Sequence, residues 1–334
     1  MSQYDYIKEI AKYGLANDYS RLLETLYALI DYAQKTNKSN FALQLQSIIK
    51  EAKRKQEIAS RITNGQFQEI FNNGELNDLI IENLSSDYKL ENLVCSDEVK
   101  KELKYFIKER TSDYLLQKFN IPISNKIIFH GPSGCGKTLA AYVLAGELNR
   151  SLTIVNLGAI VSSKLGETSK NLTKIFKKAA LEGSIVFFDE FDSLGKIRDY
   201  DQDHGEMKRI VNTILQLFDF LSKDCIIIAA TNQIQMIDDA LLRRFDVSIK
   251  LDYPQKEQIH ELIDRTLKSG PFVLDNIDLC NEIINKCHDI SYYVIKQTLI
   301  TAIKRTLLDD KQHENSMIIN TQIWNELINK ELHL

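Results

Sequence analysis

Residues 131–138 read Gly131-Pro132-Ser133-Gly134-Cys135-Gly136-Lys137-Thr138, directly after the apolar run Ile127-Ile128-Phe129 and directly before a helix-forming stretch that opens at Leu139. This is the P-loop pattern G-x-x-x-x-G-K-[ST], and its chemistry is phosphate binding. Glycines let successive backbone N–H groups turn inward around phosphate oxygens. Lys137 supplies a mobile positive charge for the β- and γ-phosphates, and the Thr138 hydroxyl is a ligand for Mg²⁺. The helix that follows directs the positive end of its dipole at the same phosphates. A nucleoside triphosphate is the implied ligand.

Three further groups have chemistry to offer. The apolar run Ser184-Ile185-Val186-Phe187-Phe188 ends in Asp189-Glu190, where the first acid can hold the Mg²⁺ shell through water and the second can deprotonate an attacking water. An acid pair at a strand end also occurs as plain solvated surface. A second apolar run, Ile226 to Ala230, ends in Thr231-Asn232; an amide there projects into the ligand crevice of a parallel sheet, unless Asn232 merely caps the next helix. Arg243 and Arg244 follow a short helical segment, where basic residues commonly complement the helix dipole.

P-loop, Asp189-Glu190, Asn232 and Arg243-Arg244, in that order and spacing, resemble the AAA family of ring-forming ATPases over about residues 88–310. The resemblance implies ATP and Mg²⁺ as cofactors. It gives Gly131 through Leu139, with Asp189, to nucleotide binding, and Thr138 and Asp189 to the metal. It makes Glu190 the residue that activates water and Asn232 the sensor of the γ-phosphate. Arg243 and Arg244 become fingers that act on a neighbouring subunit's nucleotide, and Leu93-Val94 lies near adenine. It also implies a homo-oligomer, ring or helical, with a hexamer expected. The segments Val161 to Leu172, Asp203 to Arg209 and Ala240 to Asp246 look like small bacterial AAA ATPases encoded beside subtilisin-like serine proteases, so a protein client and such a protease are the expected partners. Lys164-Leu165-Gly166 falls where AAA unfoldases place an aromatic pore loop; here a lysine stands instead, and the segment also reads as a polar turn. Ser291-Tyr292-Tyr293 resembles the start of the sensor-2 helix, with no arginine placed to act there.

Short apolar runs at 127–131, 152–157, 184–188, 225–231 and 247–251 alternate with helical intervals. That alternation predicts a parallel five-stranded α/β sheet of the P-loop NTPase type, with its crevice at the carboxyl ends of the strands. After Tyr253-Pro254 the strands cease and helical runs predict an α-helical lid over 253–334. Residues 1–62 carry apolar positions at helical spacing, Leu22 to Ile30 and then Phe41 to Ile49, which predicts a small helical domain. Turn formers across 63–87 mark a linker, leaving 88–252 as the ATPase domain.

The chain has 334 residues, too many for one ordinary core, and a net charge of −4; two or three domains are expected, and no basic field invites nucleic acid. This acidic balance also weighs against a DNA-linked loader. A P-loop kinase fits poorly beside Asn232 and the arginine pair, whereas a slow, nucleotide-gated binding switch remains compatible with every motif. Five cysteines without a C-x-x-C pair predict core thiols in a reducing cytoplasm. Cys280, Cys287 and His288 lack a fourth metal ligand. No apolar run suits a bilayer, and the amino terminus shows no secretory signal.

Overall fold

The computed structural model describes residues 3–15, scattered positions between 21 and 32, and 80–332 apart from 156, 158–166, 197–203, 222–223 and 310–316. Lys164-Leu165-Gly166, Asp203 and the run from Phe41 to Ile49 lie outside the described residues. The chain divides into two units, Met1–Asn73 and Gly74–Leu334. In the first, α1 (Gln3–Leu15) is helical, helical positions recur between 21 and 32, and Thr25, Leu29 and Ile30 are buried. Tyr6 and Tyr32 bring their rings to 5.7 Å.

In the second unit, β1 (Ile80–Leu84), β2 (Lys126–His130), β3 (Leu152–Val155), β4 (Ile185–Phe188), β5 (Ile226–Thr231) and β6 (Val247–Lys250) form one sheet in the order β1-β3-β4-β5-β2-β6. Neighbours from β3 to β6 are parallel, with Ile128 opposite both Ala229 and Ser248. β1 runs antiparallel along β3. The sheet therefore has six strands, not five, and the extra one occupies the stretch read as linker. Its five residues sit among Asn and Ser turn formers, so its pattern is too short to stand out.

Helices cover both faces, which is why β3, β4 and β5 are buried throughout and apolar except for Thr153 and Thr231. Residues alternate between faces with the period of two of an extended chain. Ile128, Val186, Phe188, Ile227 and Ala229 pack under α5 (Glu167–Glu182) and α6 (His204–Asp219). Ile127, Phe129, Phe187, Ile228 and Ala230 pack under α2 (Asp97–Thr111) and α4 (Lys137–Leu148); the short α3 (Asp113–Lys118) follows α2. Ser96 caps α2 by accepting the Val99 N–H, with Asp97 and Glu98 in its first turn complementing the dipole. Gly146 lets α4 pass against the backbone before α2: a Cβ there would stand 2.0 Å from the Tyr88 carbonyl oxygen.

The carboxyl-terminal part is helical, with α7 (Lys256–Leu267), α8 (Ile277–Lys286), α9 (Tyr292–Asp309) and α10 (Thr321–Leu332) around a core that includes Ile283, Ile295, Leu299 and Trp324. Trp324 satisfies its buried indole by donating Nε1–H to Thr298 Oγ1 (3.2 Å). The expectation that strands cease after Pro254 is corrected here. β7 (Phe272–Leu274) pairs in parallel with β8 (Met317–Ile319), each three residues long and so beneath any readable alternation. None of the described helices is long and apolar enough to cross a membrane.

Candidate active site

The P-loop turns from β2 into α4 through three glycines with positive φ, at 135° for Gly131, 73° for Gly134 and 90° for Gly136, backbone that a residue with a Cβ rarely adopts. Gly131 also packs so tightly that a Cβ would lie 2.0 Å from the Leu251 carbonyl oxygen. Lys137 is buried, and its ammonium donates to the Gly131 and Pro132 carbonyls at 2.8 and 2.7 Å. Desolvation lowers its pKa, opposed by Cys135, Asp189 and Asp192.

The alternation along β4 sends Phe187 toward α4, and the next residue on that side is Asp189. The Thr138 hydroxyl at the start of α4 donates to Asp189 Oδ2 at 3.0 Å, joining two residues 51 positions apart. A hydroxyl beside a carboxylate suits Mg²⁺, which keeps several waters and takes the rest of its shell from phosphate oxygens. Among the described residues no group of three or more His, Cys, Asp or Glu could hold a metal by itself, so Thr138 and Asp189 would share the ion with phosphate.

Glu190 follows in a left-handed conformation, φ 49°, and donates its backbone N–H to Asp189 Oδ1 at 2.9 Å. A non-glycine residue held there costs on the order of 1–3 kcal/mol and tends to mark a working site. The side chain is exposed. On β5, Thr231 turns to the opposite face and donates to buried Asp192 at 3.0 Å, which leaves Asn232 on the P-loop side. Asn232 does not cap the turn that follows. Ile234–Met236 is entered at Gln233, whose N–H donates to Thr231 Oγ1.

These residues share one crevice of about 430 Å³ lined by Leu93, Val94, Ser133, Gly134, Gly136, Lys137, Thr138, Leu139, Asp189, Glu190 and Asn232. Gly131, Pro132 and Cys135 belong to the loop but do not line it. The Cys135 side chain instead borders a second cavity, of about 480 Å³, with Cys95, His130, Lys250 and Asp252, where burial pushes its thiol up to about 11. All five cysteines are free and buried.

Residues 127–253 match the family model described as ATPase family associated with various cellular activities (AAA). Those residues are an AAA ATPase domain. The chain is 34% identical over 195 residues to an uncharacterised AAA family ATPase of Sinorhizobium fredii, covering 58% of this chain and 59% of the relative. It is 28% identical over 230 residues to a putative 26S proteasome regulatory subunit homolog of Methanocaldococcus jannaschii, covering 67% and 60%. An ATP-dependent zinc metalloprotease, FtsH 2 of Thermoanaerobacter, is 33% identical over 199 residues, covering 58% and 39%. The chain thus spans about three fifths of the length of the first two of these curated relatives.

Arg243 and Arg244 lie on the AAA domain but do not line its crevice. Arg244 Nε and Nη2 reach the two Asp219 oxygens at 3.2 and 3.3 Å, and that carboxylate raises the guanidinium pKa. Arg243 is exposed. Phe245 anchors the segment, meeting Phe191 and Phe218 edge-on at 5.8 and 5.5 Å. Asn92, Leu262 and Lys296, which no motif in the sequence marks, complete the crevice wall beside Tyr292 and Tyr293, and those two stand at the helix start expected from Ser291-Tyr292-Tyr293.

Proposed function

We propose that the chain is an oligomeric ATPase that couples ATP hydrolysis to remodelling, unfolding or delivery of a protein client, with a subtilisin-like protease as the partner its residue pattern suggests. The observation that carries the reading is the 3.0 Å hydrogen bond between Thr138 and Asp189, which ties the phosphate loop to the acidic end of the neighbouring strand in one crevice with Lys137 and Glu190. Lys137 would exchange its loop carbonyls for β- and γ-phosphate oxygens. Thr138 and Asp189 would hold Mg²⁺, which when bound supplies charge neutralisation at the phosphates. Glu190 takes the proton of the attacking water, and Asn232 orients that water or the γ-phosphate. Leu93 and Val94, both buried, offer apolar contact to a base. The helices after Tyr253 act as the lid.

Arg243 and Arg244 do not line their own crevice, which suits fingers that serve a neighbouring subunit in a ring or helical assembly, here a hexamer. Two relatives with proteolytic names, the proteasome regulatory subunit homolog and the zinc metalloprotease, support a proteolytic context. A cytoplasmic setting accords with the free buried thiols. Glu190→Gln is the direct test: nucleotide affinity should stay within about threefold of wild type while turnover falls by about 10²-fold or more. Turnover near wild type would remove Glu190 from this role.

A further inference from the structure

Glu190 follows β4 and Asn232 follows β5, and a set of hydrogen bonds ties these two strand ends together. The Phe191 N–H donates to the Ala230 carbonyl at 2.8 Å. One residue further along each segment, the Thr231 hydroxyl donates to Asp192 Oδ1 at 3.0 Å and accepts the Gln233 N–H at 3.0 Å. Asp192 and Thr231 are each 1% exposed, so their contact lies out of water, where a hydrogen bond to a carboxylate is stronger than at the surface. The Ser193 N–H closes the turn on the Glu190 carbonyl at 2.8 Å. Glu190 is therefore held on one side by the bond from its own N–H to Asp189 and on the other by the segment that Asp192 fastens to Thr231.

Neither Thr231 nor Asp192 lines the crevice, whereas Glu190 and Asn232 both do. The buried pair therefore acts through its neighbours and not on nucleotide. A left-handed backbone at a residue with a Cβ, φ 49° at Glu190, persists only where its surroundings over-determine it, and the bonds of Phe191 and Asp192 to the end of β5 do that. A general base works only within hydrogen-bond reach of the proton it takes, and a misplacement of about 1 Å costs on the order of 10²-fold in rate. We propose that Asp192 and Thr231 are positioning residues for hydrolysis, a buried clasp that sets Glu190 and Asn232 at one fixed separation so that base and sensor meet the same water. The inference rests on the ATPase reading above and extends it to two residues outside the crevice. Asp192 also lies in the field of Lys137, so removal of the Thr231 hydroxyl is the cleaner way to open the clasp.

The experiment measures steady-state Mg·ATP turnover by the full chain, and affinity for a non-hydrolysable Mg·ATP analogue by calorimetry, for wild type, Thr231→Val and Thr231→Ser. Valine keeps the shape of threonine without the hydroxyl, so kcat should fall about tenfold or more while affinity stays within about threefold, and Thr231→Ser should recover most of the turnover. In a Glu190→Gln chain, Thr231→Val should lower the residual rate by less than about twofold, because the base it positions is gone. In an Asp192→Asn chain it should cost less than in wild type, because the two side chains form one contact. Thr231→Ala serves as the hydroxyl-free variant if Thr231→Val does not fold. Unchanged turnover in the hydroxyl-free chain, affinity falling as far as turnover, or an undiminished further loss in either background overturns the clasp and leaves the ATPase reading intact. Near-normal turnover by Glu190→Gln, or no hydrolysis by wild type, overturns the ATPase reading and the clasp with it.

Discussion

At the scale of single residues, local chemistry explains why some of the site was legible in the sequence and some was not. Lys137, Thr138, Asp189 and Asn232 each stand at the end of a strand or in a glycine turn, so residue type and neighbours together identify them. Lys296 has no such neighbours. Its place follows from the docking of Tyr293 on Gly134, a contact between segments far apart in the chain. His130, the last residue of β2, illustrates a property that sequence does not carry. Burial first, then Lys250 and Lys137, hold its imidazole below the ordinary value of 6.5, with Asp252 opposing. The unfolded chain therefore binds the extra proton, and this contribution to stability is whole above about pH 6.5 and lost as pH falls toward the lower folded value. His130→Asn is expected to flatten the decline of Tm between pH 7 and 5, as followed by circular dichroism; parallel curves for variant and wild type would refute it.

At the scale of elements, the parallel strands were legible because burial on both faces demands continuous apolar runs, as in Ile226-Ile227-Ile228-Ala229-Ala230. The short strands were not: β7 and β8 have three residues each, and β1 has five with no alternation. Close approach is equally hidden. Helix α4 is fixed by Gly146, over which the backbone of Ser86 and Tyr88 passes while Lys89 Nζ donates to the Gly146 carbonyl. Gly146→Ala should gain up to about 1 kcal/mol of helix propensity yet lose more, because a Cβ 2.0 Å from backbone oxygen cannot be relieved by turning a side chain. A net destabilisation of roughly 1–3 kcal/mol is expected in urea unfolding; a more stable variant would show that this contact is looser than its geometry.

At the scale of the whole molecule, an arginine pair that does not line its own crevice makes assembly testable. Heterologous contacts close into rings or extend into filaments according to the rotation between subunits. Chains carrying Arg243→Ala with Arg244→Ala should be inactive, as should chains carrying Lys137→Ala. Mixed, the first supplies intact crevices and the second intact arginines, so part of the ATPase activity should return. Co-assembly without any recovered turnover would rule out sharing of sites between subunits. In the amino-terminal unit, the described residues, α1 and the helical positions to residue 32, carry a helical pattern with Thr25, Leu29 and Ile30 buried.

The antiparallel strand β1 also decides where the chain can be cut. A fragment opening at Tyr88, the boundary that motif spacing suggests, would discard Ile80–Leu84 and strip one whole edge of β3, whose Leu152-Thr153-Ile154-Val155 is buried along its length. An apolar edge with unpaired N–H and C=O groups is a template for self-association. With β1 in place, the rim shows exposed Glu82 and Asn83 beside exposed Ile81, and the charge and amide make it less apolar than β3. By light scattering, the fragment from Tyr88 should form concentration-dependent aggregates where one from Gly74 stays monodisperse. On this expectation, a strand within the stretch expected to be linker shields the edge of β3 from pairing with a second chain.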